Sequence, residues 1–302
     1  MSFTGMVKDE LSKLDTLELS RISELSGIVQ CSVINDGAIV VTTENNSVAR
    51  MVYAMVKDIF AVISKITVRK GYNYNKKMLY ILEIKSNVPL ILSSLGIDGD
   101  IPSKFIVADD SLVRAYLCGV FLMNGSINDP KTSRYHLEFN LSNLEFATFV
   151  CELLNGYNLN SKLLHRDNKY MVYIKEAEKI GDFLRMMGAS KAVLYYEDIR
   201  IYRDHKNMTN RLNNCEQANV DRIIETANNQ VNDIELIKDA CGLELLGEKE
   251  YVAAIYRLKY KDASLLELSE IISLETGNKI TKSGLYHRFR KIKEMANRIR
   301  NK

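Results

Sequence analysis

What the sequence lacks sets the first limits. No run of apolar residues approaches the ~18 that cross a membrane; the most continuous, Tyr116 to Met123, has eight. The opening residues, MSFTGMVKDELSKLD, contain none of the apolar core of about 7–15 residues that marks a signal peptide. The five cysteines (Cys31, Cys118, Cys151, Cys215 and Cys241) are odd in number, widely spread and without a CxxC pair. They read as small core hydrophobes in a reducing cytoplasm, not as a disulfide framework or a zinc site. The absence of tryptophan and the three prolines decide little. The 46% hydrophobic and 26% charged residues are the mix of a soluble globular protein, which excludes a mostly disordered chain, a collagen-like repeat and a bare coiled coil. At 302 residues the chain holds about two domains, taking roughly 150 residues for each.

A net charge of +3 looks neutral until it is cut by position. From Lys279 to Lys302 there are nine Lys or Arg and one acid, Glu294, so that segment carries +8 and the residues before it −5. A compact basic segment on an acidic body is the electrostatic footprint of a polyanion-binding appendage. The bland alternative is a solvated helix end, because cations favour helix C-termini.

Two stretches of mixed helix and strand look like copies of one unit. The first has a helix through Leu25–Ser32, a strand over Ala38–Thr43, a helix over Ser47–Ile63, strands near Ile66–Arg69 and Met78–Ile84, and a short helix after Pro89. The second has a helix through Leu117–Ser126 and a strand over Tyr135–Leu141, where polar His136, Glu138 and Asn140 alternate with apolar neighbours. That period of two means one buried and one wet face. A helix over Asn143–Leu154, strands at Ser161–His165 and Tyr170–Ile174, and a helix from Glu176 to Met187 follow. Gly27 and Gly119, 92 residues apart, hold the same place in each unit. Both units read αββαββα, so the expected class is α+β: a duplicated domain followed by an all-α segment. The expected limits are 1–200 for the duplicated domain (repeats about 1–95 and about 108–200), 201–246 for a helical linker and 247–302 for a helical DNA-binding domain. Within the linker, Leu212, Ala218, Val220, Ile223, Ile224, Ala227, Val231 and Ile234 form a thin apolar stripe, as in a solvent-rich bridging helix.

A mid-helix glycine costs roughly 1 kcal/mol against alanine, so Gly119 needs a reason, and close approach of a second helix backbone supplies one. The run LCGVFLMNGS resembles the LAGLIDADG motif of homing endonucleases, whose paired helices each deliver an acid that holds a divalent metal for phosphodiester cleavage. Aligning Gly119 with the motif's first glycine puts Asn124 at the metal-binding position, and Gly27 puts Ser32 there. Neither is a carboxylate, which hard cations require. The nearby Asp36 and Asp129 precede Gly37 and Pro130 and read as turn formers. The fold is expected to be present, with degenerate metal positions, no catalytic residues, no metal and no cofactor.

The last 55 residues carry a helix-turn-helix pattern. One helix runs from about Lys249 to Lys259, with Val252, Ile255, Tyr256 and Leu258 as its core face. A second opens at Ser264 with Glu267 three residues on, a capping box. The turn Glu275–Lys279 leads to a third helix capped by Thr281. On a wheel of ~100° per residue, Leu285, Phe289, Ile292, Ala296 and Ile299 share one arc, and Ser283, Tyr286, His287 and Arg290 face away from it. The second helix of such a motif enters the major groove, N-terminal residues toward the base edges. Ser283, Tyr286, His287 and Arg290 are therefore candidate base or groove contacts. Lys282, Arg288, Lys291 and Lys293 are candidate phosphate contacts, which position without reading sequence, and Thr281 at the start of the helix is a further candidate DNA contact. His287 has no nucleophile or carboxylate arranged around it, and His136, His165 and His205 look equally isolated.

Three stretches together, Tyr116–Ser126, Asn210–Asn219 (NRLNNCEQAN) and Ser264–Arg290 with its core Ile280–Arg288, resemble the WhiA family of bacterial transcription regulators over essentially the whole chain. The resemblance implies a cytoplasmic, nucleoid-associated protein that binds double-stranded DNA at promoters without cutting it. It further implies a link to sporulation, cell division or chromosome segregation, and a second transcription regulator as partner. Two other readings compete. One makes the duplicated domain a protein- or RNA-interaction module with the helix-turn-helix as an auxiliary clamp. The other is an active endonuclease using Asp36 or Asp129.

Overall fold

The computed structural model describes residues 2–15, 17–35, 37–70, 78–132, 134–166 and 169–301. Internal contacts divide the chain into two units, Met1–Arg203 and Asp204–Lys302.

The first unit opens with a helix that the periodicity did not announce, α1 (Phe3–Leu11), capped by the Ser2 hydroxyl. Two equivalent runs follow. The first is α2 (Glu18–Gln30), β1 (Val33–Asn35), β2 (Ala38–Thr43), α3 (Asn46–Phe60), β3 (Lys65–Lys70), β4 (Met78–Ile84) and α4 (Val88–Ser94). The second is α5 (Asp110–Asn124), β5 (Gly125–Ile127), β6 (Leu137–Leu141), α6 (Leu144–Gly156), β7 (Lys162–Arg166), β8 (Lys169–Ile174) and α7 (Ala177–Met186). Each run builds one four-stranded antiparallel sheet, in the order β1-β2-β4-β3 and β5-β6-β8-β7. The shared topology establishes the expected α+β duplication.

The local causes are legible. Asn45, Asp109 and Asn143 each accept backbone N–H bonds at the start of α3, α5 and α6, satisfying donors that a helix N-terminus leaves free. In β6, Leu137, Phe139 and Leu141 are buried while Glu138 and Asn140 are not, the alternation expected of a sheet with one covered face. The strand begins at Leu137 and not at Tyr135, because Tyr135 and His136 lie outside the ladder with β8.

At the centre α2 packs on α5, glycine into backbone. A Cβ at Gly27 would overlap the Tyr116 carbonyl oxygen and lie 3.0 Å from Val120 N; a Cβ at Gly119 would overlap the Glu24 carbonyl oxygen and lie 3.0 Å from Ile28 N. The two glycines thus serve the same close approach from opposite sides. Around them Leu25, Ile28, Leu117, Val120 and Phe121 are fully buried and join both sheets into one core. Each such side chain contributes ~1.5–3 kcal/mol by leaving water.

α1 ties the two repeats together. Its Thr4 hydroxyl bonds the carbonyl (2.8 Å) and N–H (2.9 Å) of Ile127 in β5, and Asp9 accepts a short hydrogen bond from Ser47 in α3. Glu10 accepts from Lys191 N at 2.7 Å and Ala192 N at 2.9 Å, at the start of α8 (Ser190–Cys241), where the helix dipole favours an anion.

The helix expected over the connector is thus one part of the 52-residue α8, which carries the chain into the second unit. Of the apolar stripe, Ala227, Val231 and Ile234 are buried, whereas Leu212, Val220, Ile223 and Ile224 are exposed. Three helices complete the second unit: α9 (Glu248–Lys259), α10 (Leu265–Thr276) and α11 (Lys282–Arg300). Its core gathers Ile234 and Ile237 from α8, Ala253 and Ala254 from α9, Leu268 and Ile272 from α10, and Leu285, Phe289, Ile292 and Ala296 from α11. Of the expected core face of α9, Val252, Tyr256 and Leu258 pack half-buried against this core, Ile255 is exposed, and the fully buried positions are Ala253, Ala254 and Arg257. Small alanines admit close helix contact, and the apolar count alone favours the bulkier side chains.

The cysteine reading also needs correction. Cys118 is buried and Cys31 and Cys151 are half-buried, but Cys215 and Cys241 lie exposed on α8.

Candidate DNA interface

The core that α8–α11 build in the second unit leaves one face of α11 open to solvent. α10 begins with the expected capping box: the Ser264 hydroxyl accepts from Glu267 N (3.2 Å) and the Glu267 carboxylate accepts from Ser264 N (2.7 Å). It ends at Gly277 in the left-handed region (φ 69°), a conformation that a Cβ disfavours. The Ser273 hydroxyl, accepting from Ile280 N at 2.9 Å, holds the turn against α10. Thr281 then caps α11, accepting from Gly284 N at 3.1 Å. The entry angle of α11 is therefore fixed by bonds on both sides of the turn.

Along α11, Leu285, Phe289, Ile292 and Ala296 are buried and Ile299 half-buried. Ser283, Tyr286, His287 and Arg290 are exposed on the opposite side at spacings of three, four and seven, so they form one face. Tyr286 and His287 meet edge to face with ring centroids 6.0 Å apart. Arg290 reaches Glu294 at 3.7 Å, both 60% exposed, a contact too weak and wet to immobilise the guanidinium. Thr281, Lys282 and Lys293 are exposed, and among the described residues Lys282 and Lys293 have no ion-pair partner.

Two of the basic candidates are held by α9. Arg288 is half-buried and donates to the Lys249 carbonyl at 3.3 Å, and Lys291 pairs with Glu250 at 3.0 Å. The bond from Lys291 holds the Glu250 carboxyl below its ordinary range. Spacing along α11 alone could not separate these flanking residues from the free ones, because the separation depends on where α9 lies.

Sequence reading missed Arg257, the largest fully buried side chain among the described residues, at 1% exposure. Its guanidinium donates to Gln230 Oε1 (3.0 Å) and to the carbonyls of Tyr260 (3.2 Å), Lys261 (3.4 Å) and Ala263 (2.6 Å). Among the described residues no carboxylate is hydrogen-bonded to it, and burial pulls its ionisation below the ordinary arginine range. Five donors in a fixed fork suit arginine to gather one side chain and three carbonyls at once. The signal in the sequence was its place, i+4 from Ala253 on the small-residue face.

In the first unit the degenerate metal positions lie at the ends of the paired helices. Asn124 is the last residue of α5, and Ser32 follows α2, with its hydroxyl donating back to the Ile28 carbonyl at 2.8 Å. Asp129 accepts from Lys131 N at 2.9 Å, the bond of a turn former, and Asp36 lies outside the described residues. Among the described residues no group of three His, Cys, Asp or Glu is placed to hold a metal ion. His136 is not isolated: its Nε2 lies 3.0 Å from the Glu138 carboxylate, and its ring stacks near Tyr173.

Residues 12–98 match the WhiA N-terminal LAGLIDADG-like domain, 113–206 the WhiA LAGLIDADG-like domain and 209–296 the WhiA C-terminal HTH domain. The chain belongs to the WhiA family. Full-length relatives agree. The probable cell division protein WhiA of Lactiplantibacillus plantarum is 39% identical, with 99% of each chain covered. That of Staphylococcus aureus strain USA300 is 40% identical over 100% of this chain and 98% of the relative. The crystal structure of full-length WhiA from Thermatoga maritima is similar with a TM-score of 0.61 at 27% identity, covering 99% of both chains. The WhiA HTH domain begins at residue 209, so it includes the part of α8 that packs on α9–α11.

Proposed function

We propose that this WhiA-family chain is a sequence-specific double-stranded-DNA-binding transcription regulator with a role in cell division. The single observation that carries the reading is the free face of α11: Ser283, Tyr286, His287 and Arg290 lie exposed together on a helix whose opposite face is locked into a core. Side chains of these types hydrogen-bond or stack against base edges, and the +8 segment around them supplies phosphate attraction. Lys282 and Lys293 contact phosphate directly, and Arg288 and Lys291 do so by exchanging their α9 partners for phosphate oxygens.

The duplicated domain does not cut DNA in this reading, because Ser32 and Asn124 stand where a metal-binding acid is needed. The protein acts in the cytoplasm on the nucleoid, uses no cofactor, and takes a second transcription regulator as a further partner. The connection to cell division comes from the names of the relatives; chromosome segregation and, in sporulating lineages, sporulation are the related processes.

The test is fluorescence-anisotropy binding of the full chain to random duplexes and to duplexes selected from its genome, across salt concentrations. Tight, salt-sensitive binding that separates the two sets is the expected result. Equal affinity for both would remove sequence reading from the proposal, and no binding would remove the regulator.

A further inference from the structure

α2 buries four polar side chains, and three of them are satisfied. Ser20 shares a hydrogen bond with Ser111 (3.1 Å), Ser23 donates to the Ile106 carbonyl (2.7 Å) and Ser26 to the Leu95 carbonyl (2.8 Å). The fourth is Glu24, 3% exposed, on the face of α2 that meets α5. Its neighbour on α5 is the thiol of Cys118, a weak donor, whereas a carboxylate can accept at about four sites. Arg21, one turn earlier, is drawn away to Asp58 at 3.0 Å. A buried carboxyl with so little compensation is rare, because removing it from water is costly unless a partner replaces the lost hydration.

Glu24 lines a cavity of about 300 Å³ bounded also by Leu11 and Leu14 from α1 and the segment after it, by the mutually bonded Ser20 and Ser111, by Ala115 and Cys118 of α5, and by Met186 and Met187 at the end of α7. Leu14 (42% exposed) and the Arg114 side chain (47% exposed) form the mouth. Arg114 is paired with Asp110, and the acid on the wall is Glu24, whose nearest cation, Arg21, is bonded to Asp58. A volume of this size holds an organic molecule of on the order of ten non-hydrogen atoms, taking ~30 Å³ for each water-sized group. Mostly apolar walls with a few polar groups, here Glu24, Arg114, Ser20 and Ser111, are the common chemistry of a small-molecule site. The methionines can repack around differently shaped occupants.

We infer that the space between the two repeats is a binding site for a small organic cation, an amine with a short branched or linear hydrocarbon body, whose ammonium group pairs with Glu24 while its body lies against Leu11, Leu14, Met186 and Met187. The ligand would bridge α1, α2, α5 and α7 and so stiffen the joint between the repeats. The site is independent of DNA binding by α11.

Isobutylammonium is a suitable probe, with isobutanol as a control of the same shape and no charge. The full chain carrying ¹³C-methyl methionine is titrated at pH 8, following the methyl signals of Met186 and Met187. The expected result is saturable shifts of these two signals, at least tenfold tighter binding of the amine than of the alcohol, and loss of that preference in Glu24→Gln. A second variant, Ala115→Leu, fills the cavity and leaves the carboxyl in place; it loses binding of both molecules. Absence of saturable shifts, equal binding of amine and alcohol, or an amine preference that survives in Glu24→Gln overturns the proposal.

Discussion

The Arg257 guanidinium lies over the Phe289 ring, 5.5 Å from its centroid, while the same group bonds Gln230 and the Ala263 carbonyl. One side chain on α9 thereby fixes α8, the loop before α10 and the core face of α11 to each other. The orientation of the DNA-reading face depends on this buried group as much as on the apolar core.

Replacing Arg257 with alanine is expected to destabilise the second unit by roughly 2–4 kcal/mol, since it leaves part-buried carbonyls and an amide without their donor and opens a void under Phe289. Arg257→Lys recovers only part of the loss, because an ammonium cannot span the same set of acceptors. Thermal unfolding followed by circular dichroism measures the first effect. A parallel fall in DNA affinity, in spite of an untouched α11 surface, measures the second.

Gly119→Ala tests the packing of the repeats. Its Cβ would overlap the Glu24 carbonyl oxygen, which is backbone and cannot rotate away. The expected cost is about 3 kcal/mol or more, at the upper end of overpacking effects. Gly37→Ala is the control, because open space surrounds that position and only its left-handed backbone (φ 72°) is strained. A Gly119→Ala variant as stable as the wild type would contradict the account of the α2–α5 contact.

Glu24 makes stability depend on pH. Burial pushes its carboxyl up from the ordinary 4.5 to about 7, so the folded chain holds the proton more tightly than the unfolded chain. This contribution is fully present below about pH 4.5 and is lost as pH rises through about 7. The whole effect is worth up to about 3 kcal/mol. Glu24→Gln keeps the shape and removes the charge, so it is expected to be more stable than the wild type at pH 8 and to flatten this part of the profile. Urea unfolding at pH 5, 6.5 and 8 checks both outcomes.

Incubation of the full chain with duplex DNA and Mg²⁺ or Mn²⁺ is expected to leave the DNA intact, as Ser32 and Asn124 supply no anionic ligand. Metal-dependent cleavage abolished by an Asp129 substitution would restore the endonuclease reading.

Much of this was visible in the sequence, and the exceptions have physical causes. The strands β2 and β4, the glycine pair, the capping box and the core arc of α11 all rest on local signals: period, spacing and cap chemistry. By contrast, β1 and β5, counted in the αββαββα pattern, have three residues each, too short for a period to fix their bounds. α1 is stabilised by distant partners, Ile127 and Lys191, that no local pattern encodes. Arg257 looks like a surface cation in sequence and becomes a core residue only because three helices converge on it. Which basic residues of α11 are free and which are tied to α9 was likewise decided by tertiary placement.

The claim that α11 reads DNA sequence is tested most directly by comparing Arg290→Ala with Lys293→Ala in the full chain, on one selected duplex and one random duplex, over a range of salt. The account predicts that Arg290→Ala loses ~1–3 kcal/mol on the selected duplex and little on the random one. Lys293→Ala should weaken both alike and lower the salt slope by about one. Equal losses on both duplexes for both variants would contradict the assignment of α11 as the reading helix.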